Sequence, residues 1–161
     1  MIAHTTASAD VKAIADYDEY VTVTVADQMF GLPIDRVHDV FIPTALTAVP
    51  LAPREIMGLL NLRGRVVTAM CMRRRLGLPN RNAAEREMAV GLEHHGESYG
   101  LLVDSVGEVM KLAPDTRESN PVHMDRRWTK LSRGVHRLED KLLVVLDVDA
   151  VLSLGTDAQA A

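Results

Sequence analysis

The chain repeats itself, and this constrains its fold more than any single motif. FGLPIDRVHDV, from Phe30 to Val40, returns as YGLLVDSVGEV, from Tyr99 to Val109, with the aromatic, the Gly-Leu pair, Asp35 over Asp104 and the closing valine in register. Farther on, GLLNLRGRVVTAMCMRRRL from Gly58 lines up with GVHRLEDKLLVVLDVDAVL from Gly134 at a slightly larger offset, so the second copy carries a longer middle. Self-similarity of this kind marks two copies of one supersecondary unit. Two copies are too few for a solenoid, and the many short strands predict two small barrels packed side by side, whose closure removes exposed edges. A groove between such barrels is a natural place for a partner.

The strands are legible from their period. In YVTVTV, valines 21, 23 and 25 alternate with threonines, as in a strand with one buried face. Asp27 and Gln28 turn the chain into MFGLPI, and RVHDVFI continues extended. Pro43, Pro50 and Pro53 make PTALTAVPLAP a loop. Short helical turns are expected at Pro53 to Met57 and at Arg73 to Leu76, the latter closed by Gly77. EMAVGLE, a turn through HHGE, SYGLLV and VGEVMKL complete the strands. The expected organisation is a leader over 1–19, a paired-barrel domain over 20–154 and a tail over 155–161.

Composition narrows function. A net charge of −4 argues against a nucleic-acid surface, which concentrates basic residues on one face. Cys71 is the only cysteine, so no internal disulfide can form. Neither a signal peptide nor a long apolar run is visible, so a cytoplasmic protein without direct membrane insertion is expected. His94 and His95 adjoin in a hairpin turn without metal-ligand spacing, and His38, His123 and His136 are scattered with no nucleophile motif. Glycines fall singly in turns, not in a phosphate-cradling loop. The expectation is a protein that is not an enzyme, with no catalytic residues, cofactor or metal. Arg73 to Arg75 read as a solvated helix end, and Trp128, in the polar segment DRRWTK, as a local anchor over the barrel seam.

Differences between the copies carry more meaning than matches. Arg63 is matched by Glu139 and Gly64 by Asp140, so the architecture does not require the first tip's arginine. In NLRGRVV, Gly64 suits a turn, while Arg63 and Arg65 are either solvated hairpin residues or one of them is aimed at a partner. Asp147 reads as a helix N-cap; its counterpart Cys71 cannot cap as well.

Taken in order, VTVTV, FGLPIDRVHDV, the proline loop, GLLNLRGRVV, YGLLVDSVGEV and GVHRLEDKLLVVLDVDAVL resemble the CheW family of chemotaxis coupling proteins from about Tyr20 to Leu154. The resemblance implies an all-β fold of two SH3-like five-stranded β-barrel subdomains around a shared hydrophobic core, with short helical turns. It also implies an adaptor between the cytoplasmic tips of methyl-accepting chemoreceptors and the regulatory domain of the histidine kinase CheA, recruited to membrane-associated arrays. Matching positions place Val37, Asp39, Arg63, Val106 and Val109 in a receptor-binding groove, with Leu46, Thr47, Met57 and Gly58 as kinase-binding candidates. Thr68 and Cys71 stand where the family often has Pro and Asp, and Asp39 replaces a commoner Glu. Alternative readings are a CheW-like scaffold for a non-motility pathway and a small-ligand-binding barrel.

Overall fold

In the computed structural model, which describes residues 17–82 and 86–154, the first strand behaves as its alternation predicts on one side only. Val21, Val23 and Val25 are buried, but so is Thr22. Its hydroxyl donates to the Glu108 carbonyl of the neighbouring strand at 2.7 Å, where a bulge interrupts the ladder, so a polar residue tolerates burial there.

Eleven strands follow in order: β1 (Asp18–Val25), β2 (Gln28–Pro33), β3 (Val37–Phe41), β4 (Ile56–Leu62), β5 (Arg65–Cys71), β6 (Met88–His94), β7 (Glu97–Val103), β8 (Ser105–Leu112), β9 (Arg117–Glu118), β10 (Ser132–Arg137) and β11 (Leu142–Leu146). Three short helices are α1 (Met72–Arg75), α2 (Arg126–Leu131) and α3 (Val148–Leu152). β1 begins at Asp18, inside the stretch expected as leader; the rest of that leader and the tail from 155 lie outside the described residues.

The fold is all-β, with the strands in two sheets. One runs β8-β1-β2-β11-β10-β9 and the other β3-β6-β7-β5-β4. The hydrogen-bond ladders are open, with β8 and β9 at the ends of one and β3 and β4 at the ends of the other. Replacing β8, β1, β2, β11 and β10 by β3, β6, β7, β5 and β4 converts one order into the other, and β9 is the extra strand of the longer copy. Parallel pairs correspond as well, β11 with β2 and β5 with β7. Each sheet therefore draws on both sequence copies. β2 leaves the first sheet through a 3-10 turn, Ile34–Arg36, to become β3 of the second, and β7 returns through Asp104 to become β8 of the first.

This exchange places one core between the sheets. Val23, Val25, Phe30 and Leu32 of the first pack in the same cluster as Met70, Val90, Leu92 and Leu101 of the second, closed by Leu131, Val151 and Leu152 from the helices. Smaller clusters serve each sheet alone: Tyr20, Leu143 and Val145 in one, Leu60, Val67, Ala69 and Leu102 in the other. Each such side chain contributes roughly 1.5–3 kcal/mol by leaving water, so the shared cluster holds the two halves together.

Local signals fared unevenly. Arg73 to Leu76 is helical one residue earlier than expected, as α1, and Gly77 closes it at φ 73°. Asp147 caps α3 by accepting from Ala150 N at 3.1 Å, while Cys71 makes no side-chain cap bond. Pro53 to Met57 is not a helical turn. A single turn closes there with Ile56 N donating to the Pro53 carbonyl at 2.9 Å, because Ile56 is already paired with Met70 in the sheet. Trp128 sits on α2, a helix the polar DRRWTK segment did not announce, capped by Asp125. Its ring packs 5.5 Å from Phe30 of the first sheet, and its Nε1 donates to the Leu76 carbonyl beside the second, so it anchors the seam.

Candidate functional site

The NLRG hairpin is built by its own residues. Asn61 Oδ1 accepts from Gly64 N at 2.8 Å, and both tip residues adopt positive φ, 55° at Arg63 and 81° at Gly64. That pair of conformations is the two-residue turn matching strand twist, normally supplied by Asn-Gly. Arginine at its first position carries a steric cost that Gly or Asn avoids. The turn throws the Arg63 side chain outward, 82% exposed, with Nη1 4.0 Å from Asp39 Oδ2. At that separation on a surface the attraction is about 1 kcal/mol or less, so the pair orients Arg63 more than it stabilises the fold.

Asp39 reaches this position through two features of its strand. A bulge between Val37 and Asp39 re-aims β3, and Gly91 opposite on β6 leaves the space the carboxylate fills. A Cβ at Gly91 would collide with Asp39 Oδ1. Sequence reasoning missed Gly91; its one signal was a glycine inside the strand pattern MAVGLE, which often marks a close approach. Asp39, Phe41, Arg63, Arg65, Glu93 and Tyr99 line a shallow concavity of about 150 Å³.

The four kinase-binding candidates lie together. Thr47 exchanges two 2.8 Å backbone hydrogen bonds with Leu59, pinning the proline loop against β4. Gly58 adopts φ 147°, and a Cβ there would lie 2.5 Å from the Thr47 carbonyl oxygen, so glycine permits the loop's seat. Met57 packs on the second sheet's own cluster, while Leu46 is half exposed.

The five receptor-groove candidates come from both sheets. Val37, Asp39 and Arg63 belong to the second sheet, whereas Val106 and Val109 sit on β8 of the first. Val37 and Val106 are repeat equivalents, and both are partly buried against the shared core. Val40 and Val109, also equivalents, are 41% and 50% exposed on edge strands. Edge strands bearing exposed valines are templates for protein contacts.

Ion pairs fix the sheet crossings behind these edges. Arg73 holds Asp104 at 2.6 Å, and this bond, with a further one from Ala26 N, keeps the Asp104 carboxyl below its ordinary range. Arg36 and then His94 hold the Asp149 carboxyl well below its ordinary range.

Taken together, these features define an all-β docking module with an exposed valine on each of two edge strands and an ion-paired hairpin tip. Residues 19–155 match the CheW-like domain. The chain is 25% identical over 152 residues to the "Probable chemotaxis protein CheW" of Rhizobium etli, covering 94% of this chain and 97% of that one. It is 26% identical to the chemotaxis protein CheW of Rhizobium meliloti, over 83% and 86% of the two chains. The crystal structure of the scaffolding protein TtCheW from Thermoanaerobacter tengcongensis superposes with a TM-score of 0.76 at 26% identity, covering 86% of this chain and 89% of that one. The chain belongs to the CheW-like family.

Proposed function

We propose that this protein is a chemotaxis adaptor: it couples the cytoplasmic tips of chemoreceptors to the histidine kinase CheA by protein–protein binding, without catalysis, in membrane-associated arrays. The observation that carries the reading is the CheW-like match over 19–155, shared with relatives that bear chemotaxis and scaffolding names. No helix among the described residues is long and apolar enough to cross a membrane. Val37 and the ion-paired Asp39 and Arg63, with Val106 and Val109, receive the receptor helix; arginine's planar fork suits a carboxylate or carbonyl on it. Leu46, Thr47, Met57 and Gly58 receive the regulatory domain of CheA.

Reconstitution tests the reading. Receptor signalling fragments and CheA are mixed with and without this protein, and kinase autophosphorylation is followed. Receptor control of the kinase that appears only in its presence is the expected result. Control unaffected by its addition would contradict the proposal.

A further inference from the structure

In each half of the molecule the strand that leaves a sheet crossing carries one of the groove valines, and directly after that valine its ladder is interrupted. β3 pairs with β6 at Val37 opposite Leu92 and resumes, past a bulge, at Asp39 opposite Gly91. β8 pairs with β1 at Val106 opposite Val23 and resumes, past another, at Val109 opposite Val21. Both are edge strands, so no ladder on the far side holds either valine in place. Val37 is the more loosely tied. It is the only residue of β3 paired ahead of its bulge, whereas in β8 Ser105 also pairs, with Thr24, ahead of Val106.

Side chains at the crossings supply what these ladders lack. Arg36, immediately before Val37, donates from Nη2 to the Glu93 carbonyl at 3.0 Å, which extends the contact of β3 with β6 one residue past the Val37–Leu92 pair. The same guanidinium grips both carboxylate oxygens of Asp149 on α3, at 2.8 and 3.1 Å, and His94 Nδ1 at the end of β6 meets that carboxylate at 3.0 Å. The start of β3 is thereby tied to a strand end and to a helix. The other crossing has the same arrangement: Asp104 accepts from Ala26 N, one residue past the end of β1, at 2.8 Å, and from Arg73 of α1 at 2.9 and 2.6 Å. Asp104 aligns with Asp35 and not with Arg36, so the brace recurs although its residues do not. With side chains 32% and 59% exposed, Arg36 and Asp149 add little to overall stability, but a planar fork bonded to two elements fixes direction.

We propose that Arg36 and Asp149 are positioning residues of the receptor-docking surface: they hold the start of β3 so that Val37 and, past the bulge, Asp39 are presented to a receptor helix, as Arg73 and Asp104 do for Val106. The inference rests on the adaptor reading of these valines. Neither member of the pair touches the receptor in this account; Asp149 acts through Arg36, and Arg36 through the backbone of Val37.

A double-mutant cycle tests the role. A receptor signalling fragment is titrated into the whole protein, Asp149→Asn, Val37→Ala and the double variant, with the regulatory domain of CheA as a second titrant. Asp149→Asn keeps the side chain's size but removes the charge that clamps Arg36. It is expected to weaken binding of the receptor fragment by about fivefold or more while leaving affinity for the CheA domain within about twofold, and to shift the amide resonances of Val37 and Asp39 in the free protein. In the Val37→Ala background the same substitution should cost only about twofold or less, because the side chain it positions is gone. Unchanged receptor affinity in Asp149→Asn, an equal loss toward the CheA domain, unmoved resonances at 37 and 39, or losses that multiply in the double variant would each overturn the positioning role and leave the adaptor reading standing. Failure of the unaltered protein to bind the receptor fragment would instead overturn the adaptor reading, and the positioning role with it.

Discussion

Arg73 and Asp104 face each other with two hydrogen bonds, of 2.9 and 2.6 Å, and a second Arg–Asp pair serves the other sheet crossing, where the arginine is Arg36, the neighbour of Asp104's repeat equivalent Asp35. Arg73, on α1, holds the crossing from β7 to β8. Asp149, on α3 and matched to Arg73 by the repeat, holds the crossing from β2 to β3 through Arg36. Both crossings thus use an Arg–Asp pair, but the cation lies on the helix in one half and on the crossing in the other.

Breaking the better-buried pair should be costly. Both Arg73 and Asp104 side chains are 17% exposed, and Arg73 also donates to the Pro79 carbonyl. Asp104→Asn is expected to destabilise the fold by about 3 kcal/mol in urea denaturation, because it removes the negative charge that faces a partly buried guanidinium. Since Arg73 lowers the folded-state value of Asp104, the pair's contribution is present above about pH 4 and is lost as pH falls through that lower value.

Gly58→Ala tests the loop clamp. The new Cβ meets the Thr47 carbonyl in a backbone conformation alanine avoids, so a loss of about 2 kcal/mol is expected together with displacement of Leu46 and Thr47. Circular-dichroism melts would measure the first, and amide shifts of 46–48 the second.

Arg63→Glu should do the opposite: leave stability within about 0.5 kcal/mol, because the side chain is exposed, while weakening receptor binding. Chemical denaturation and titration with a receptor signalling fragment separate the two effects.

His136 contributes to stability in its neutral form. It is 2% exposed, its Nδ1 meets the Thr116 hydroxyl, and burial first, then Arg117, lower its proton affinity. The folded state therefore favours the neutral ring, so its contribution is present above about pH 6.5 and lost as pH falls below that. His136→Leu should flatten this part of a stability–pH profile measured by chemical denaturation.

What the sequence made legible was equivalence. Matching Phe30 with Tyr99 and Gly58 with Gly134 predicted the pseudo-symmetry, and both glycines of the second pair have positive φ, 147° and 132°. Equivalence does not say which strands pair, so the exchange of β2 and β7 partners between sheets was not readable from it. The difference between copies at Arg63 pointed to the hairpin tip, and NLRG explains itself once Asn61 is seen to cap the turn. Gly91 and His94 escaped because their roles lie in contacts with Asp39 and Asp149, brought near only by tertiary packing. Proline's preference for a helix start at Pro53 lost to sheet pairing at Ile56.

The adaptor account is tested most directly by calorimetric titration of the protein with the regulatory domain of its cognate CheA, alongside the Arg63→Glu and Val37→Glu variants. Saturable binding is predicted for the unaltered protein and is expected to persist in Arg63→Glu, whose defect belongs to the receptor surface. Absence of binding by the correctly folded protein at any accessible concentration would contradict the account.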